Sequence, residues 1–163
     1  MDAKVLLCDF AEVSGGKLFV TGAGISLVAS PAPQPPYVVN VCLAILVQIP
    51  WTETDQEHQL TVELVSEAGG GQQRVLLSDQ LPEGGNPADR GMIVAVFSAA
   101  RSPMMVDGDE STMPMSMPLF GLPLPQHGPY FFSVRIDGRE MDRASFRLVP
   151  LATAQQASGQ EGA

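Results

Sequence analysis

The stretch from Val38 to Ile49 constrains this chain most. Val39, Val41, Leu43, Ile45, Val47 and Ile49 share one face of an extended segment, and only Asn40, Cys42, Ala44 and Gln48 interrupt the apolar character behind it. A long run, rich in β-branched residues and with few polar residues on either face, predicts a central strand. It is too short to cross a bilayer as a helix, which takes about 18–20 apolar residues, and Pro50 closes it.

A period of two recurs along the chain. Leu60, Val62 and Leu64 alternate with Gln59, Thr61 and Glu63, the pattern of a strand with one wet face. Tyr130, Phe132, Val134 and Ile136 repeat it against Ser133, Arg135 and Asp137, and Ala144, Phe146 and Leu148 repeat it again. Asp137-Gly138 between the last two supplies hairpin-turn chemistry, so they are read as a C-terminal hairpin with a connection slightly longer than minimal. Shorter strands are predicted over Lys4 to Ala11, Lys17 to Val20, Ile25 to Ala29, Arg74 to Leu77 and Met92 to Phe97.

Pro- and Gly-rich breaks separate the runs, at Ser30 to Pro36, Glu67 to Gly71, Pro82 to Gly91 and Arg101 to Ser111, and no window carries a capped helical stripe. The expectation is an all-β fold, an antiparallel two-sheet sandwich of about eight or nine strands. It would form one domain over residues 1–150, with a flexible Ala/Gln/Gly/Ser tail over 151–163.

Composition sets the function classes aside. Of 163 residues 45% are hydrophobic and 17% charged, which suits a folded core, and the net charge of −9 repels phosphate and anionic lipid, so neither nucleic acid nor a membrane is expected as partner. Leu6-Leu7 precede Cys8, but Asp9 ends the apolar stretch after four residues, short of the roughly 7–15 that a signal core needs, so no export or lipidation signal and a cytoplasmic location are expected. Cys8 and Cys42 are accordingly read as free thiols packed like small hydrophobes, with a Cys8–Cys42 disulfide as the alternative that an oxidising location would allow.

Catalytic sets are scarce. His58 and His127 are the only histidines, no Gly-x-Ser-x-Gly turn is present, and Gly15-Gly16-Lys17 opens a strand instead of a phosphate-binding helix. His58 is expected to pair with a carboxylate at the mouth of a strand, and His127, in a Pro-Gln-His-Gly-Pro turn, to be solvated. Asp107-Gly108-Asp109-Glu110 lacks the spacing of a calcium loop. No enzyme activity and no cofactor are expected.

Two segments are candidates for function. The first carries Met113, Met115 and Met117 on alternate positions, followed by Leu119, Phe120 and Leu122, inside an interval from Pro103 to Pro125 that holds five prolines. The prolines exclude a central strand, so the segment is an edge or a long surface loop. Its thioethers suit a core cover, an adaptable protein-binding strip or, less simply, Cu(I). The second is a rim of Trp51, Glu53, Asp55 and His58, where Trp51 either caps the core or offers an aromatic platform for a small molecule or sugar.

Several of these features together resemble a family of small bacterial proteins known as a domain of unknown function. They are Lys4-Val5-Leu6-Leu7-Cys8-Asp9, Lys17-Leu18-Phe19-Val20-Thr21-Gly22-Ala23-Gly24, Ile49-Pro50-Trp51-Thr52-Glu53 with His58, and Gly128-Pro129-Tyr130 leading into Phe-Ser-Val-Arg-Ile-Asp-Gly. The resemblance spans Met1 to Pro150 and implies a small Ig-like sandwich with no assigned activity. The function expected is a non-enzymatic interaction or assembly module, binding another protein or itself. The alternatives are a small-molecule or carbohydrate binder using the Trp51 rim, and a metal protein or enzyme.

Overall fold

The computed structural model describes residues 1–77 and 91–151. Among these it contains eleven strands and one 3-10 turn, Trp51–Glu53. In chain order the strands are β1 (Asp2–Cys8), β2 (Phe10–Ser14), β3 (Lys17–Thr21), β4 (Leu27–Ser30), β5 (Tyr37–Pro50), β6 (Glu57–Ser66), β7 (Gln73–Val75), β8 (Ile93–Ser98), β9 (Glu110–Leu124), β10 (Gly128–Ile136) and β11 (Arg139–Pro150). They form a three-stranded sheet in the order β1-β5-β9 and a six-stranded sheet in the order β4-β11-β10-β6-β7, with β8 also on β6. The third sheet is the hairpin of β2 and β3.

The fold is all-β, and the Val38 to Ile49 run is central, flanked by β1 and β9. The strand count is higher than the eight or nine expected, for two physical reasons. The segment from Lys4 to Ala11 breaks at Asp9, where the chain turns from β1 into the β2–β3 hairpin. The proline-interrupted segment is a strand after all, the longest of the fold.

Its position explains how it tolerates proline. Pro114, Pro118 and Pro123 lie opposite Leu46, Cys42 and Val38 of β5. A residue without N–H cannot belong to a hydrogen-bonded pair, so the ladder runs through Met113, Met115 and Met117 and the prolines turn their nitrogens to the free edge. The sequence reading of an edge therefore holds, and three of the donors that a foreign strand would need on it are missing.

The same alternation fixes β5. Residues 43, 45 and 47 bond to β9, so residues 42, 44 and 46 bond to Cys8, Leu6 and Lys4 of β1. Val5 of β1 then faces the outer edge, where its N–H donates to Asp142 Oδ2 of β11 at 2.9 Å, and the Leu7 carbonyl accepts from Gly24 and Ile25. The edge of one sheet is thus tied to a strand of the other.

One core cluster draws on both larger sheets: Val41, Leu43, Ile45, Val47 and Ile49 from β5 meet Leu60, Val62 and Leu64 from β6 and Tyr130, Phe132, Val134 and Ile136 from β10. A second, much smaller cluster lies on the other face of β5 and consists of Cys8, Ala11, Cys42 and Ala44, with Leu18 half-buried against it.

The C-terminal hairpin is tighter than expected. Ile136 pairs with Arg139, leaving a two-residue turn in which Asp137 and Gly138 both have positive φ, 51° and 78°. Those signs match the twist of the flanking strands, so no longer loop is needed. The return strand starts at Arg139 instead of Ala144. The expected tail over 151–163 lies, beyond Leu151, outside the described residues, as does nearly all of the break at Pro82 to Gly91.

Candidate functional site

His58 opens the wet end of β6, and the Asp137 turn closes the adjacent end of β10. Asp137 Oδ1 accepts the N–H of Gln59 at 2.9 Å, which aims Oδ2 at His58 Nδ1, 2.7 Å away. His58 Nε2 lies 2.9 Å from the carbonyl oxygen of Glu53. That oxygen only accepts, so Nε2 carries a hydrogen; the carboxylate takes a second from Nδ1. With both nitrogens donating, the arrangement favours the imidazolium form.

Burial opposes that charge, but the hydrogen bonds to Asp137 and to the Glu53 carbonyl overcome it and raise the His58 pKa above its ordinary value. The bonds from Gln59 and His58 in turn hold the Asp137 carboxyl below the carboxylate range. With both ring nitrogens engaged, by Asp137 and by the Glu53 carbonyl, His58 has none open toward a metal or a substrate in this arrangement. It fastens the Trp51–Glu53 turn to the C-terminal hairpin.

Beside it lies a cleft of about 360 Å³ lined by Glu53, Gln56, His58, Asp137, Arg139 and Met141, among others. Of the four rim residues read from sequence, only Glu53 and His58 meet here. Trp51 and Asp55 belong to a separate cluster: the Arg101 guanidinium lies 3.8 Å from the centre of the Trp51 ring, its Nε donates to Thr54 Oγ1, and its backbone N–H donates to Asp55 Oδ1. Trp51 therefore does not cap the core. Pro50 and the 3-10 turn break the parity that Ile49 set, and the ring ends half-buried beneath a cation.

His127 is also not solvated as expected. Its ring lies tilted against that of Tyr37, with the ring centres 4.0 Å apart, and its buried Nε2 meets no hydrogen-bond partner. The bend after β9 folds the turn back over the start of β5.

The methionine edge divides by parity. Met113, Met115 and Met117 pack partly buried against the main core, and Leu119 and Leu122 are buried in it. Phe120 alone of the six points away, 68% exposed. On that opposite side Leu6 of β1, Leu46 of β5 and Phe120 of β9 are exposed; in the hairpin the register puts Phe10 and Phe19 on the face away from the sheet and Val13 and Val20 on the face toward it, and all four are exposed. Phe19 is 52% exposed. The chain's two lysines, Lys4 and Lys17, belong to the same strands.

Sequence reasoning missed Asp137, Arg139 and Arg101 as site residues. Asp137 was legible only as a turn residue, and its 79-residue separation from His58 left no local signal. Among the described residues, no group of three or more His, Cys, Asp or Glu is placed to hold a metal ion, and no helix is long and apolar enough to cross a membrane.

A family model described as "Family of unknown function (DUF6941)" matches residues 4–149. No curated protein matches the chain. Among solved structures, the chain is similar to the Pseudomonas fluorescens alkylpurine DNA glycosylase AlkC bound to DNA containing an abasic site analog, at 11% identity and a TM-score of 0.37. The match covers 88% of this chain and 30% of that one, and likeness at this level carries no argument.

Proposed function

The chain belongs to this family of unknown function, and we propose that it is a non-enzymatic protein-interaction or assembly module built on an Ig-like sandwich. One observation carries the reading. The outer side of the β1-β5-β9 sheet and its hairpin exposes Leu6, Phe10, Val13, Phe19, Val20, Leu46 and Phe120. Scattered apolar residues are ordinary on a protein surface, whereas seven large apolar residues exposed on one three-stranded sheet and its hairpin support a binding role. Phenylalanine is also an effective interface anchor because it buries much area while ordering few torsions.

The methionine strip enters this reading differently from the way its sequence suggests. Its thioethers support the sheet from within, and the edge contributes Phe120 and the proline-stiffened backbone. Crosslinking in cells from a photoreactive residue at position 19 or 120, with position 147 on the other sheet as control, tests the proposal. Discrete protein adducts from 19 and 120, lost in a Phe10→Ser/Leu46→Ser variant, are expected; equal crosslinking from all three positions would overturn it.

The cleft beside His58 favours a second reading, a small polar ligand held between Glu53, Asp137 and Arg139. It does not use Trp51. A ligand that raises the melting temperature of the wild type, but not of Arg139→Ala, would select this reading over the first.

A further inference from the structure

Neither the apolar surface nor the cleft uses the two cysteines, yet the fold places them face to face. Cys8 ends β1 and Cys42 lies in β5, and the register pairs them directly. Because Pro118 stands on the far side of Cys42 and has no N–H, the backbone hydrogen bonds of Cys42 must run to β1. Cys8 and Cys42 are therefore a hydrogen-bonded antiparallel pair, for which the Cα atoms lie about 5.5 Å apart. Disulfides span about 4.4–6.8 Å between Cα atoms. Both side chains emerge on the same face, and Cys8 Sγ already reaches the Cys42 carbonyl at 3.3 Å.

We propose that Cys8 and Cys42 are a reversible oxidation site, closing to an intramolecular disulfide by exchange with a small disulfide such as oxidised glutathione, with the β2–β3 hairpin as the gate. The thiolate of one cysteine attacks a sulfur of glutathione disulfide, breaking that bond and releasing one glutathione as the thiol. The second cysteine, as thiolate, attacks the protein sulfur of the mixed disulfide, forms the Cys8–Cys42 bond and releases the second glutathione. Two electrons pass from the protein sulfurs to the glutathione disulfide, and the two thiol protons end on the two glutathiones.

The gate follows from what covers the pair. The thiols are 0% and 1% exposed, so no oxidant reaches them in the closed state. Burial, then the neighbouring Cys42 and Asp9, push the Cys8 thiol up to about 11, which keeps the nucleophilic thiolate scarce while the cover is in place. The cover is thin: only Ala11 is buried over the cysteines, Leu18 is half-buried, and Val13 and Val20 remain exposed. Hydrogen-bonded pairs also hold their Cβ atoms toward the wide end of about 4.5–5.5 Å, against about 3.5–4.5 Å in a disulfide. The bond therefore forms under strain and is readily reduced.

The test uses the intact protein, glutathione disulfide at pH 8, alkylation of residual thiols and mass spectrometry. The expected product has lost two hydrogens, carries no glutathione, and gives tryptic peptides 5–17 and 18–74 joined through Cys8 and Cys42. Cys8→Ser and Cys42→Ser should stop at a mixed disulfide. Leu18→Ala, which thins the cover, should speed oxidation on the order of five- to tenfold while the urea midpoint changes little. Thiols still unreacted in Leu18→Ala, glutathione retained on the wild type, or a bond between two copies would each overturn the proposal.

Discussion

On its inner face the β1-β5-β9 sheet buries Leu43, Ile45 and Val47 to 0% exposure against aromatic and branched side chains of the other large sheet. On its outer face the same strands bury two cysteines and an alanine beneath a five-residue-per-strand hairpin. Backbone hydrogen bonding is the same for both faces. What differs is the apolar volume removed from water, at roughly 25 cal/mol per Å². Burial thus decides which face is permanent and which can open, and function is proposed for the face that opens.

Neighbouring residues test this comparison most sharply. Leu43→Ala should cost about 2–5 kcal/mol in urea unfolding, because it empties a large site that the core cannot collapse into, whereas Cys42→Ala, one position away on the other face, should cost about 1 kcal/mol. Equal costs would erase the distinction. Next in size is Gly22→Ala. Gly22 holds φ of 66°, and an added Cβ would run into the Asp9 carboxylate. A loss of about 1–2 kcal/mol is expected, with NMR shifts confined to the hairpin and its hinges; shifts spread through β6 and β10 would show that the hairpin is part of the main core.

Much of this was readable beforehand, and the gaps have physical causes. The alternation of Val39 to Ile49 and of Tyr130 to Ile136 locates the central strands because one face of each is fully buried. The split at Asp9 was not legible, since the hairpin has weak alternation and Phe10, Val13 and Phe19 carry no sign of which side they face. The Met113 to Met117 parity was legible, but whether it pointed at the core depended on register with β5. Asp137 and His58 meet only because β6 and β10 pair, a contact that local pattern does not encode.

The smallest effect concerns the anchored end of the core. His58 has a raised pKa in the folded state, so its contribution is fully present below the unfolded value of about 6.5 and is lost as pH rises through the folded value. Asp137, with a lowered pKa, contributes above its unfolded value and loses that contribution on acidification. Urea midpoints of the wild type should fall relative to His58→Asn as pH rises from 6.5 toward 8.5. A difference that stays constant over that window would show that His58 is not held as an imidazolium.

Native-state amide hydrogen exchange compares the two faces in one experiment. Amides of β2 and β3 should exchange through openings that leave β5, β6 and β10 protected, with an opening free energy several kcal/mol below that of global unfolding. Protection of residues 10–21 equal to that of β5 would contradict an openable hairpin, and with it the gate over Cys8 and Cys42.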